Sequence, residues 1–99
     1  MSEEIQFLVD EQAQIHQILS NSWRILILWA LETREKSVGE IADTIGATLQ
    51  NTSQHLRLMK DKGMLESRRE GQTIYYRITD SELGMKCKLM LQTFIHQKE

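Results

Sequence analysis

Thr48, Gln50, Asn51, Ser53, Gln54 and Arg57 bring amides, hydroxyls and a guanidinium together within ten residues. Such groups donate and accept hydrogen bonds. They do not by themselves break bonds. The chain offers no nucleophile beside a base, no paired carboxylates in an evident cleft and no glycine loop that cradles phosphate, so catalysis is not expected. The chemistry is recognition. Amide side chains can pair with adenine edges, and hydroxyls and guanidiniums can hold phosphate oxygens. A second set, Arg68, Arg69 and Gln72, surrounds Gly71, where the arginine charges can reach phosphates. Ser37, at a predicted helix N-terminus, offers another phosphate position.

These groups need a scaffold, and the flanking residues describe one. Ser37 and Glu40 form a capping-box pattern. Val38, Ile41, Ala42 and Ile45 then fall on one helical stripe, and Gly46 stands where a left-handed residue would stop the helix. Thr48 can cap the next helix, with Leu49, Thr52, Leu56 and Met59 facing inward and the polar set facing out. Gly63 ends it. Two apolar-faced helices joined around a glycine are a helix-turn-helix signature. Leu65 to Arg69 and Thr73 to Ile78 then alternate as strands about Glu70-Gly71-Gln72, a hairpin whose tip needs glycine. The plan is a winged helix-turn-helix, which sets one helix in a DNA major groove with a hairpin beside it. The expected fold is mostly α with a small β-hairpin, in the order α-α-α-α-β-β-α.

The run Ser53-Gln54-His55-Leu56, then Gly63-Met64-Leu65, then Arg68-Arg69-Glu70-Gly71-Gln72-Thr73-Ile74-Tyr75-Tyr76, resembles the ArsR/SmtB family of repressors. Leu19-Ser20-Asn21-Ser22-Trp23-Arg24-Ile25-Leu26-Ile27-Leu28 resembles that family's upstream motif, with Ser22 in place of its proline, Trp23 of its threonine and Leu26 of its second arginine. The resemblance covers nearly the whole chain. It implies a homodimeric repressor that binds double-stranded DNA at a pseudo-palindromic operator. It also implies a two-fold interface made by the first and last helices, about 4–19 and 81–96. Ile5, Leu8, Leu83, Cys87, Met90, Leu91, Phe94 and Ile95 would line that interface. By their own pattern the same apolar faces can instead fold back onto their own chain.

Composition fits one small domain over residues 1–99, with a recognition helix at about 48–62 and a wing at about 65–78. The formal charge of −2 works mildly against nucleic acid, but it is unevenly spread. Residues 1–20 carry Glu3, Glu4, Asp10 and Glu11 with no Lys or Arg. Residues 54–77 carry six basic side chains against three acidic ones, a local charge of plus three. Local phosphate neutralisation decides DNA affinity. The acidic total keeps a second reading open, a winged helix that contacts protein instead of DNA. One cysteine excludes an intrachain disulfide and fits a reducing cytoplasm, and no signal peptide or membrane span is expected. Trp23 and Ile25 to Leu31 are apolar nearly all round, as in a buried central helix.

Metal sensing is not expected, and no cofactor is. The family's Cys-x-Cys positions correspond to Ala42 and Thr44. Its last-helix site corresponds to Asp80, Glu82, Thr93 and His96, a poor zinc set. Asp80 reads more simply as a helix cap. A metal-responsive repressor with a non-standard site is the remaining variant of that idea. Cys87 reads as a small buried hydrophobe. The inducer is not legible.

Overall fold

The structure, a computed structural model, describes residues 2–95, with side-chain surroundings up to residue 93. The elements run α1 (Glu3–Ile18), α2 (Ser22–Ala30), β1 (Lys36–Ser37), α3 (Val38–Ile45), α4 (Leu49–Asp61), β2 (Leu65–Glu70), β3 (Thr73–Ile78) and α5 (Glu82–Ile95). The expected order lacked β1. Lys36 pairs with Tyr76 and Ser37 with Tyr75, which makes an antiparallel sheet in the order β1-β3-β2. Two residues are too few for alternation to show in a sequence.

Each helix starts where a side chain satisfies its first free amides. The Asn21 side chain accepts from the Trp23 and Arg24 amides at 2.9 and 3.3 Å. Ser37 and Glu40 complete the capping box, with both hydrogen bonds at 3.1 Å. Thr48 accepts from the Asn51 amide at 3.1 Å. Gly46 closes α3 at φ +73°, a conformation that a Cβ would strain. Helix α5 departs from expectation. Its cap is Ser81, which accepts from the Gly84 amide at 3.1 Å, while Asp80 turns to Arg77 at 3.4 Å. A carboxylate next to a guanidinium has a stronger partner than a helix amide.

Ile15, Ile18, Ile27, Leu28, Ile41, Leu56, Met59, Met64, Leu65 and Cys87 are all buried in one core. Helix α2 enters it by one side only. Ile27, Leu28 and Ala30 are buried, but Trp23, Leu26 and Trp29 keep 36%, 37% and 42% of their surface exposed. The expectation of all-round burial is therefore corrected: α2 packs against α3, α4 and α5, and its other flank lies open. Leu49 is also corrected. It is exposed on the first turn of α4, while Thr52, Leu56 and Met59 form the inward stripe.

The last connection is tight. The Thr79 amide donates to the Met64 carbonyl at 3.0 Å, and its hydroxyl lies 3.0 Å from the Gly63 carbonyl. A Cβ on Gly84 would collide with the Thr79 carbonyl and hydroxyl oxygens. Only glycine lets α5 pass this close, and nothing in the sequence pattern singled out Gly84.

Candidate nucleic-acid interface

Helix α4 is held from behind by Thr52, Leu56 and Met59 and presents the opposite side to solvent. Gln50, Gln54 and Arg57 are exposed, and Asn51 and Ser53 are half-buried. Their side chains make no hydrogen bond or ion pair with the described residues, so the donors and acceptors remain available. The first turn of α4 carries no acidic residue, and its amides and the Thr48 hydroxyl form an end favourable to anions. The N-terminus of α3 differs. There the Glu40 carboxylate already occupies the anion position, and Arg34 pairs with it at 3.0 Å. The Ser37 backbone amide and Arg34 hold the Glu40 carboxyl below the usual carboxylate range. Ser37 is a cap, and its expected phosphate role is withdrawn.

The wing separates its two arginines. Successive strand residues point to opposite faces. Arg69 pairs with Ile74 on the face that carries Leu65, Tyr76 and Ile78 toward the core, and Arg68 lies opposite Tyr75 on the outer face. Arg69 is exposed and has no ion-pair partner among the described residues. Arg68 is engaged. Its Nε lies 3.1 Å from both Glu35 oxygens, Nη2 lies 2.5 Å from Glu35 Oε1, and Nη1 donates to Glu70 at 3.0 Å. Its guanidinium sits 4.5 Å from the Tyr75 ring centroid. Arg68 holds the Glu35 carboxyl below its usual range, and Glu35 raises the Arg68 pKa in turn. Arg77, on the same face, pairs with Glu66 and Asp80. Glu35 was missed in the sequence because it belongs to no element; only its position next to β1 brings it to the wing. Gln72 is exposed at the hairpin tip.

His55 is half-buried on α4. Burial, then the Arg24 charge, lowers its pKa and so favours the neutral imidazole. Two buried side-chain atoms, Arg24 Nε and Thr52 Oγ1, have no hydrogen-bond partner among the described residues.

The far end of the chain has a different surface. Ile5 and Leu8 are about half exposed on α1, and Leu83 and Met90 are half-buried on α5. Cys87 and Leu91 are taken into the chain's own core, at 0% and 5% exposure, and leave the expected interface set. Phe94 and Ile95 lie outside the residues with described side chains, and His96 lies outside the described residues. Leu8, Ile15, Leu89 and Met90 line an open groove of about 480 Å³ between α1 and α5. Lys86 bridges that groove by pairing with Glu11, and Glu82 lies 3.3 Å from it. Burial pushes the Cys87 thiol up to about 11, and the Glu11 charge adds to the shift. At the family's metal positions, Ala42 is buried, and the Thr44 and Thr93 hydroxyls donate to the carbonyls of Glu40 and Leu89.

Residues 19–68 match the family described as a helix-turn-helix domain. The HTH-type transcriptional regulator KmtR of Mycobacterium tuberculosis is 33% identical over 70 residues, 71% of this chain and 54% of its own. The crystal structure of the transcriptional repressor BigR from Xylella fastidiosa superposes with a TM-score of 0.86 at 28% identity, covering 98% of this chain and 96% of that one. A solution structure from Mycobacterium bovis matches at 32% identity with a TM-score of 0.77, covering 99% of this chain and 90% of that one. It is the homodimeric winged helix-turn-helix DNA-binding domain of Mb0332, described as a possible ArsR-family transcriptional regulator. The fold is thus that of a winged helix-turn-helix protein. The chain belongs to the ArsR family of transcriptional regulators. It spans 54% of the length of KmtR and 34% of a second regulator from the same organism. No described helix is long and apolar enough to cross a membrane.

Proposed function

We propose that the chain is a sequence-specific DNA-binding regulator, acting as a homodimeric repressor. Helix α4 enters the major groove, Gln50, Asn51, Ser53 and Gln54 meet base edges or phosphates, and Thr48, Arg57, Arg69 and Gln72 hold the backbone. One observation carries this reading: a row of hydrogen-bonding side chains on α4 is exposed, uncommitted and backed by a rigid apolar stripe. The α1–α5 groove joins two copies, since reading a pseudo-palindrome takes two α4 helices about one DNA turn apart. A titration of the protein with duplex DNA across a range of salt tests the reading. Each neutralised phosphate contributes about −0.9 to the slope of log K against log salt. A steep linear decline is expected. Binding that is absent or indifferent to salt would contradict it.

A further inference from the structure

We infer that Glu35 is a positioning residue that holds Arg68 away from the DNA backbone, so that Arg69 and not Arg68 is the wing's phosphate contact. The inference rests on the DNA-binding reading above. A guanidinium grips a phosphate through a fork of parallel N–H groups, and it grips a carboxylate in the same way. In this wing the fork is already filled: Nε and Nη2 of Arg68 lie on the Glu35 carboxylate, and Nη1 is taken by Glu70. Tyr75 covers one face of the guanidinium. A phosphate approaching Arg68 would have to displace one carboxylate and sit beside another.

The surroundings strengthen the case. The outer face of the wing carries Glu35, Glu66, Glu70 and Asp80 against Arg68 and Arg77, an excess of two negative charges. Such a face repels a polyanion. The other face, where Arg69 stands over Ile74 at the tip, has no carboxylate paired to its arginine. Glu35 lies just before β1, and the pairing of Ser37 with Tyr75 fixes that segment beside β3. The short strand is what delivers the carboxylate to the wing.

The test compares salt slopes of duplex binding for the unmodified chain, Arg68→Ala, Glu35→Gln, Glu35→Asp and the Glu35→Gln/Arg68→Ala pair. Arg68→Ala should leave the slope unchanged. Glu35→Gln should free the guanidinium and steepen the slope by about 0.9, which is roughly a threefold larger loss of affinity over a fourfold rise in salt. The double variant should return to the unmodified slope, which separates a freed Arg68 from a simple loss of negative charge. Glu35→Asp keeps the carboxylate and should behave like the unmodified chain. A slope that becomes shallower by one contact in Arg68→Ala, or stays the same in Glu35→Gln, or stays steep in the double variant, would overturn the inference. If the unmodified chain shows no salt-dependent binding, the DNA reading falls and takes this inference with it.

Discussion

The α4 side and the α1–α5 side both leave surface uncovered, but the chemistry of the two surfaces is opposite. On α4 the exposed groups are amides, hydroxyls and a guanidinium, on the side of the helix away from the buried Thr52, Leu56 and Met59. On α1 they are Ile5, Phe7, Leu8 and Val9, at 47–62% exposure, and Leu8 lines an open groove with Leu89, itself 60% exposed. Uncommitted hydrogen-bonding groups suit a polar ligand whose edges and charges vary. Apolar side chains in a row suit another protein surface that removes them from water. The molecule therefore has two kinds of incompleteness. On the function proposed above, one is met by nucleic acid and the other by a second copy of the chain.

The largest expected effect comes from breaking the apolar side. Leu8→Glu places a charge in the α1–α5 groove, where burial without a partner is costly. Light scattering should then report a monomer, and binding to a two-half-site duplex should be lost, with the fold retained. A dimer of unchanged stability would remove Leu8 and its groove from the assembly.

Gly84→Val addresses the link between the two sides. Its side chain would meet Thr79, so α5 must shift, and overpacking of this sort costs about 1–3 kcal/mol. Thermal unfolding should show the loss, and an unchanged melting temperature would mean that the contact yields freely. Thr52→Val should act in the other direction. The hydroxyl is fully buried and unpartnered, so exchanging it for a methyl should stabilise the chain by about 1 kcal/mol. A lower melting temperature would show that the hydroxyl has a partner. The smallest effect is on the wing. Arg69→Ala should make the salt slope shallower by about 0.9, equally for all sequences. An unchanged slope would take Arg69 out of the interface.

Legibility in the sequence followed the same division. The α3–α4–wing segment was readable because each boundary has a local cause: the Ser37–Glu40 box, Gly46, the Thr48 cap, and the alternation from Thr73 to Ile78. What failed there depended on partners distant in the chain. Glu35 reaches Arg68 across 33 positions, and β1 exists only because β3 is beside it. At Ser37 the capping box with Glu40 was legible, whereas Arg34, which pairs with the Glu40 carboxylate at that helix end, was not. At the other side, apolar periodicity located α1 and α5 but could not say which residues the chain keeps for itself. Cys87 and Leu91 went inward and Leu8 stayed out, a choice made by helix packing. Leu49 was misplaced because the apolar stripe of α4 begins one turn later, at Thr52.

The claim that α4 reads sequence is tested most directly by selecting bound duplexes from a random pool with the unmodified chain and with Gln54→Ala. The account predicts an enriched pseudo-palindrome for the unmodified chain. In Gln54→Ala, preference should relax at one symmetry-related pair of positions, with a loss of about 1–3 kcal/mol for the best site. No enriched sequence, or an identical motif bound equally well by both proteins, would contradict it.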